Sequence, residues 1–552
     1  MKKSLRRGLV ATAATALGAG LLAVPAAQAD TSRTPQTVNA ADWLSGQVVD
    51  GVLYNEQFDF VDWGLTLDTL LALDAVGGYN AKVADIADAL ADDLGSYIGT
   101  GGESYAGSTA KALVAVQAAD LDAAGRTPTN FGGTDLVKAT EAQVLTTPPV
   151  TGRIADTLPD GDSDDDDLPD DYANVVGQTF AVKGLHAAGS SLADEATAFL
   201  LAQQCSNGGF RTFFTSDKTA EQQECSDPTT AEVDTTAFAV DALQTQIGDE
   251  SVSDALARAR GYLIGARGND GEFGGGAATE APNTNSTALA AVALEQLGDD
   301  GLAAGSAAWV AQRQVTAYSA CGTELDGQLG AVGYDDAAIA TAEDDGIEVE
   351  TADQWRRATA PAVAALQSYD DPSPGPTATF TVTPSAANGG WVAAGGTTTV
   401  SVSGLAAAER YCAYTVDGTA ARGGRASAEG AATLQVTAPT TAGNQPVVVY
   451  GSRDARRGTG TLKVLGARTL GLKLSATKIK RKGTMRVTVS GLAAGEPVKV
   501  GYGGKFVATG TASASKTATL SFAVGTATGT RRVSVQGISS KRYASKTFTV
   551  VK

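Results

Sequence analysis

The sequence is poor in the residues that build zinc sites and in aromatic side chains. Its 552 residues include one histidine, His186, and four cysteines, none of them in a Cys-x-x-Cys pair. Structural zinc is held by four cysteine or histidine ligands, commonly in such spacings, so the composition argues against a zinc centre. Aromatic residues make up 6% of the chain, which leaves few rings to line a large cavity.

Long apolar runs are missing beyond the first residues. Four basic residues within the first seven positions precede an apolar stretch at residues 9–24, and Ala-Gln-Ala ends at residue 29. This pattern is typical of a secretory signal peptide, which we predict over residues 1–29. No later run is long enough to span a bilayer. We therefore expect a secreted, surface-associated protein with no transmembrane segment in the mature chain.

Acidic residues are nearly missing from residues 468–552, where 16 lysines and arginines face a single acid, Glu496. Residues 30–372 show the opposite balance, with 15 basic and 56 acidic residues. Such an asymmetry favours a basic module that binds polyanions, either wall polymers or lipid head groups. Alternatively, the basic module rests on the acidic one. The candidate polyanion-binding residues are Lys478, Lys480, Arg481, Lys482, Arg531, Arg532, Lys541 and Arg542.

The four cysteines predict disulfides in an exported protein. Cys205 and Cys225 flank a single loop and are predicted to close it. Cys321 and Cys412 remain, and their pairing would tie the helical region to the domain that follows. Four cysteines allow three connectivities, so the second bridge is a hypothesis.

Six similar helical segments recur at intervals of roughly fifty residues, which indicates a repeat architecture. Aligned on their small residues, they place one polar residue at an equivalent position. The repeated helix from Val233 is apolar nearly all round, and helices of this kind are expected to be buried, with amphipathic helices between them. The pattern predicts two concentric rings, six inner helices and about six outer ones, over residues 38–370. The equivalent residues are Thr66, Thr109, Gln178, Thr236, Thr287 and Thr359.

Two of the repeats carry a longer motif. LAQQCSNGGF, from Leu201, is followed by EVDTTAFAV, and GARGNDGEFGGG, from Gly265, is followed by NTNSTALAAVAL. These segments resemble the repeat shared by protein prenyltransferase β-subunits and squalene/terpene cyclases, a Q-x-x-x-GG-F turn leading into a D-T-T-A or S-T-A helix start. The resemblance implies an (α/α)6 toroid with a central cavity, and the whole chain resembles exported proteins of actinobacterial type.

The same resemblance suggests one catalytic residue. Cyclases of this family protonate an alkene with the central acid of D-x-D-D-T-A, and the similar segment from Glu232 to Ala237 places Asp234 at that position. Thr235 replaces the acid that helps to keep the donor protonated, although Glu232 could contribute. An Asp before Thr is also typical of a helix N-cap. The prenyltransferases of this family hold zinc with an Asp, a Cys and a His. This sequence has one histidine and no Asp-x-Cys in a suitable helix, so prenyl transfer is not expected.

The third repeat contains the acidic segment DGDSDDDDLPDDY, residues 160–172. This segment resembles the loops of extracellular calcium-binding repeats. It departs from them at Asp167, which replaces the glycine of the turn, and at Ala173, which stands where a closing acid is expected. A solvated acidic loop is the alternative. The candidate calcium ligands are Asp162, Asp164, Asp166, the Leu168 carbonyl and Asp170. No other cofactor is expected.

The composition changes after the helical region. Residues 371–377 form a proline-rich linker. Alternating apolar and polar residues then predict two all-β immunoglobulin-like sandwiches, at residues 378–466 and 467–552. Both contain the phrase Val-Ser-Gly-Leu-Ala-Ala, starting at Val402 and Val489. This shared phrase indicates duplication of one module.

These observations predict an exported, non-enzymatic protein. The toroid would present a site for a small apolar ligand or a partner, and the basic sandwich would attach to anionic wall polymers rather than to nucleic acid. One alternative is a terpene-cyclase-like isomerase that uses Asp234 as its acid. A second is a structural adhesin whose toroid has no cavity.

Overall fold

The computed structural model describes residues 33–119, 126–158, 171–276, 279–316, 319–321, 323–369, 381–415, 420–451 and 457–552. The predicted signal peptide, the proline-rich linker and the five candidate calcium ligands lie outside these ranges. The chain divides into a helical unit, Ser32–Ser373, and a β-rich unit that includes Pro374–Lys552. No helix in the described part of the chain is both long and apolar enough to cross a membrane.

Fourteen α-helices are found in the described residues. They are α1 (Pro35–Gln47), α2 (Trp63–Val76), α3 (Asn80–Asp92), α4 (Leu94–Ile98), α5 (Ala106–Ala118), α6 (Leu136–Ala142), α7 (Val175–Ala187), α8 (Ala193–Ala202), α9 (Val233–Leu243), α10 (Glu250–Ala266), α11 (Thr284–Gln296), α12 (Asp300–Ala311), α13 (Asp336–Asp345) and α14 (Val349–Ala365). Two short pairs of strands lie between helices. β1 (Tyr54–Asn55) pairs with β2 (Phe60–Val61) between α1 and α2, and β3 (Phe210–Arg211) pairs with β4 (Ala231–Glu232) between α8 and α9.

The helical unit is a closed double ring. The inner helices α2, α5, α7, α9, α11 and α14 each pack on the next, and α14 returns to α2. Helices α3, α6, α8, α10 and α12 pack on the inner helices, and α1 packs on α14. The inner helices are rich in alanine and largely buried, as the sequence pattern indicates. The predicted (α/α)6 toroid is confirmed.

The polar residue shared by the six repeats is buried in every inner helix, with an exposed fraction of 0–1%. In α9, the Thr236 hydroxyl accepts a hydrogen bond from the Phe210 N–H at 2.9 Å and donates one to the Glu232 carbonyl at 2.6 Å. The hydroxyls of Thr66, Thr287 and Thr359 likewise accept from the N–H groups of Leu53, Phe273 and Val332, each at 2.9 Å. The repeated hydroxyl therefore ties each helix to the loop before it.

Two repeats vary this arrangement. Gln178 accepts the Ile154 N–H with its side-chain oxygen at 3.0 Å, so a longer polar side chain makes the same contact. Thr109 donates to the Tyr105 carbonyl at 2.8 Å, and the Ala106 N–H at that helix start is bound by Asp156 at 2.7 Å. The repeat signature is thus a hydrogen-bonding requirement at a buried loop, which explains why a glutamine can replace threonine.

We expect Thr236→Val to lower the free energy of unfolding by about 1–3 kcal/mol, because it leaves the buried Phe210 N–H without an acceptor. Thr245→Val removes an exposed hydroxyl just beyond the same helix and serves as the matched control. Urea denaturation followed by circular dichroism measures both. Equal midpoints for the two variants would contradict the proposed role of the hydroxyl.

The predicted disulfide between Cys205 and Cys225 is present, 20 residues apart in sequence. Cys321 and Cys412 are disulfide-bonded as well, and the described residues contain no free cysteine. Two disulfides are compatible with an extracellular protein, because such bonds form and persist in oxidising environments.

The β-rich unit contains two sandwiches. The first has a three-stranded sheet, β10 (Ala431–Thr437), β7 (Thr397–Ser403) and β5 (Thr381–Pro384), and a five-stranded one, β6 (Trp391–Ala393), β12 (Arg457–Leu465), β11 (Gly443–Gly451), β8 (Arg410–Thr415) and β9 (Ala420–Arg425). The second has β14 (Gly471–Leu474), β16 (Thr484–Ser490) and β19 (Thr517–Ala523), against β13 (Arg468–Thr469), β21 (Arg542–Val551), β20 (Gly529–Gln536), β17 (Pro497–Tyr502) and β18 (Lys505–Thr511), with β15 (Lys478–Lys480) also paired to β21.

The two sandwiches share one strand order, as duplication predicts. β6 and β15 pair in parallel with the last strand of their modules, and four strands of each large sheet form an antiparallel series, β12-β11-β8-β9 and β21-β20-β17-β18. The second module has one additional strand, β13, which also pairs in parallel with β21. The phrase Val-Ser-Gly-Leu-Ala-Ala leads in both modules to a buried glutamate, Glu409 and Glu496. Glu409 accepts a hydrogen bond from the Ala406 N–H, and Glu496 accepts one from the Ala493 N–H. The shared phrase therefore ends in a buried carboxylate that fixes the same turn.

Candidate functional site

A cavity of about 550 Å³ lies at the centre of the helical ring, and every inner helix contributes to its wall. Its lining is predominantly apolar. One lining residue from each inner helix in turn is Leu71, Val114, Phe180, Phe238, Leu289 and Ala364. A concave, mostly apolar cavity of this size is typical of small-molecule sites. The two rings, Phe180 and Phe238, lie 5.8 Å apart between their centroids.

Several charges at the cavity are neutralised by partners on neighbouring helices. Lys183 of α7 is 2.6 Å from Asp241 of α9, which also accepts a hydrogen bond from Gln296 of α11 at 2.9 Å. Asp68 forms an ion pair with Lys111 at 2.6 Å. Because charges are costly to bury unless they are paired, these bridges link adjacent helices while leaving little net charge for a ligand.

Asp234 differs from these paired carboxylates. It is the second residue of α9 and lines the cavity, and its Oδ1 atom is buried with no hydrogen-bond partner among the described residues. Burial raises the pKa of the Asp234 carboxyl, the charge of Glu232 raises it further, and the Ser286 hydroxyl partly offsets the increase. The protonated form of Asp234 is therefore favoured relative to an exposed aspartate.

The N-cap interpretation of Asp234 is wrong. Glu232 occupies the N-cap position of α9, and no side chain caps this helix start. Glu232 instead accepts a hydrogen bond from the Thr212 hydroxyl at 2.5 Å, and Thr212 lies at the same distance from the Thr235 hydroxyl. Thr235, which replaces an acid of the cyclase motif, thus belongs to a buried hydroxyl network.

Three further residues near Asp234 escaped the sequence analysis. Burial raises the pKa values of Tyr262 and Tyr334, and the charge of Asp234 contributes in both cases. Asn285 lines the cavity, and its side-chain oxygen is buried with no hydrogen-bond partner in the part of the chain that the structure describes. Asn285 lies in the aligned repeat and could have been noticed as a polar residue among small ones. No sequence signal distinguishes the two tyrosines.

The predicted calcium ligands lie outside the described residues, and no metal-binding cluster of three or more donors occurs within them. Asp171 is a described residue inside the predicted calcium loop, next to the candidate ligand Asp170, and it lies 3.0 Å from Arg153 and 2.7 Å from Lys218. These contacts assign Asp171 to ion pairs. Calcium binding by the acidic segment stays a prediction.

The histidine and the basic residues can be placed individually. His186 is half-buried in the last turn of α7 and lies 3.3 Å from the Thr245 hydroxyl. Arg542 is buried, with two nitrogens 2.6 and 2.7 Å from the Glu496 carboxylate. Its inclusion among the surface polyanion-binding residues is therefore corrected. The other seven stay at or near the surface: Lys478, Lys480, Arg481, Lys482, Arg532 and Lys541 are exposed, and Arg531 is partly exposed.

Comparisons with known proteins give only weak similarities. No family model matches the chain, and no curated protein is similar to it in sequence. The type II terpene cyclase MstE from Scytonema is similar at 14% identity and a TM-score of 0.41, over 60% of this chain and 96% of that chain. A glycosidase variant is similar at 12% identity and a TM-score of 0.38, over 61% and 98%. The Yersinia pseudotuberculosis adhesin InvE is similar at 13% identity and a TM-score of 0.16, over 31% and 58%. None of these values assigns an activity.

Proposed function

We propose that this chain is an exported binding protein whose toroid holds a small apolar molecule in its central cavity. The observation that carries the proposal is the cavity of about 550 Å³, which all six inner helices line with mainly apolar side chains. Removing apolar surface from water supplies the driving force, about 25 cal/mol for each Å² buried. The charged side chains at the cavity wall are paired with one another, so the ligand does not need to carry a charge of its own.

The basic sandwich completes the proposal by attaching the protein to anionic polymers at the cell surface. Its exposed lysines and arginines form a positive surface that attracts polyanions, and this attraction weakens as salt is added. The toroid would thereby be held where its ligand is encountered.

Native mass spectrometry of the full chain, purified under mild conditions from culture medium, tests the ligand proposal. We expect either a retained small molecule or a mass increase upon addition of farnesol. An unchanged mass with farnesol, longer polyprenols and cobalamin would reject the cavity as a binding site. The toroid would then act as a scaffold, as in a structural adhesin.

A second candidate is an isomerase that protonates the bound molecule. It is favoured by Asp234, a cavity carboxyl with a raised pKa and one oxygen without a partner. A general acid must be protonated before it donates, and burial promotes that state. Glu232 adds a nearby charge with the same effect on the pKa.

We expect Asp234→Asn to stabilise the protein at neutral pH and to leave ligand binding intact. A raised folded-state pKa stabilises the fold at low pH, and this contribution is lost as the pH rises through the folded-state value. The melting-temperature advantage of the variant should therefore shrink toward pH values below about 3.9, the unfolded-state pKa of Asp. Thermal melts across pH test this. An advantage independent of pH would argue against a buried titrating carboxyl, and retained cyclisation of a prenyl substrate would exclude Asp234 as its acid.

A further inference from the structure

The large sheet of the C-terminal sandwich carries a trough of about 630 Å³ on its outer face. Strand register places Phe506 of β18 opposite Gly501 of β17, Gly501 opposite Ser534 of β20, and Ser534 opposite Ser545 of β21. Directly opposed residues in antiparallel strands point to the same face of a sheet. A line of small residues therefore runs across the sheet from an aromatic ring.

Gly501 keeps the floor of this trough low. A Cβ atom at this position would lie 2.6 Å from the Ser534 hydroxyl oxygen, closer than a normal contact. A larger residue at 501 would therefore displace Ser534 and raise the floor between β17 and β20.

Two exposed aromatic rings border the trough. Phe506 on β18 is 59% exposed, and Tyr543 on β21 is 39% exposed. Their strands are separated by three strand spacings, about 14 Å, so the rings can hold an extended ligand between them. The face of an aromatic ring carries partial negative charge and attracts the polarised C–H groups of a sugar ring.

Cations surround the same surface. The Lys499 ammonium lies 5.4 Å from the centre of the Phe506 ring. The Arg532 guanidinium donates to the Ser545 hydroxyl at 3.0 and 2.6 Å. Arg532 lines the trough together with Lys505 and Arg531, while Lys499 lies beside it against the Phe506 ring. The one acid of residues 467–552, Glu496, is buried against Arg542. These four cations therefore have no carboxylate partner within their own sandwich.

We propose that this trough binds an acidic sugar polymer. The faces of its sugar rings stack on Phe506 and Tyr543, while its phosphate, sulfate or carboxylate groups contact Lys499 and Arg532. The inference rests on the proposed attachment to anionic polymers and gives that attachment a site. Two disulfides favour an oxidising compartment, which favours a polymer of the cell surface over an intracellular nucleic acid.

Binding of the full chain to immobilised dextran sulfate tests the site, with neutral dextran, polyphosphate and single-stranded oligo(dT) as comparison ligands. The ring variant is Phe506→Ala/Tyr543→Ala, and the charge variant is Lys499→Gln/Arg532→Gln. Arg481→Gln/Lys482→Gln removes the same charge outside the trough and is the matched control. Phe506→Leu, with thermal melts of every variant, separates loss of the site from loss of folding.

We expect the ring variant to bind dextran sulfate at least about tenfold more weakly, with an unchanged dependence on salt. The charge variant should bind more weakly and respond less to salt, while the matched control stays within about threefold of the wild type. Equal losses in the control and the charge variant would overturn the site but keep general polyanion attachment. Ring-dependent binding that favours oligo(dT) would overturn the sugar assignment. No binding of the wild type to dextran sulfate or polyphosphate would reject the attachment itself.

Discussion

Arg542→Met is expected to destabilise the C-terminal sandwich by about 3–5 kcal/mol, because breaking a buried ion pair from one side leaves an uncompensated charge. Arg542 makes two contacts of 2.6 and 2.7 Å with Glu496, and it also donates to the carbonyls of Gly466 and Gly491. Both side chains of the pair are at least 95% buried. Methionine fills the space of the arginine stem but cannot neutralise the carboxylate or satisfy the two carbonyls.

Chemical denaturation of the full chain, with tryptophan fluorescence and circular dichroism as probes, measures this loss. Lys541→Met removes the same charge from the neighbouring, exposed position and is the control, for which we expect a change of less than about 0.5 kcal/mol. Adding Glu496→Leu to Arg542→Met should restore much of the stability, since replacing both members of a buried pair by apolar residues is often tolerated. A loss in Arg542→Met no larger than that in Lys541→Met would show that the ion pair is not a major stabilising contact.

The double substitution Leu289→Trp/Ala364→Trp is expected to weaken binding of an apolar probe by at least about 100-fold, roughly 3 kcal/mol. Both positions line the cavity, on α11 and α14, and both side chains are partly exposed to it. Two indole rings therefore take up the space of the ligand without being forced into the packed interior between helices. Displacement of the fluorescent probe phenylnaphthylamine by farnesol measures the effect.

The matched control places the same two indoles outside the cavity. Leu329 and Val349 belong to the helical unit, are 47% and 50% exposed, and do not line the cavity. Leu329→Trp/Val349→Trp should retain the affinity of the wild type. If the probe binds both double variants equally well, it binds somewhere other than the central cavity. A cavity variant with an unchanged melting temperature and no binding would support the proposal directly.

The repeat could be read from the sequence because a local requirement recurs in it. In five of the six repeats the shared polar residue accepts a hydrogen bond from an N–H group of the preceding loop, so the same hydrogen-bonding requirement leaves a recognisable residue there. Thr109 is the exception. The inner and outer helices followed from their apolar patterns. The family resemblance implied a central cavity, but its volume and lining could not be predicted, because they depend on how far the six helices stand apart and on which side chains fill the centre.

The role of Asp234 could not be decided from its neighbours in sequence. Whether an acid after a helix start caps the helix or faces a cavity depends on the backbone conformation at Glu232 and on the distant Ser286, which contributes to its pKa. Arg542 was misassigned for a similar reason, since it reads like the exposed basic residues around it. One signal was available: Glu496 is the only acid in a strongly basic module, and a lone acid in such a setting indicates a buried partner for one of the arginines.

The closed ring also determines how the helical unit comes apart. The Thr34 hydroxyl donates to the Leu366 carbonyl at 2.9 Å, and Gln314 donates to the Gln36 carbonyl at 2.7 Å, so the first and last segments of the unit are joined. A linear solenoid can fray repeat by repeat from its ends, but a ring has no terminal repeat to lose. Melting one repeat opens the whole circle and exposes the cavity wall to water. An apolar molecule bound in the cavity, as we propose, would therefore stabilise every repeat at once.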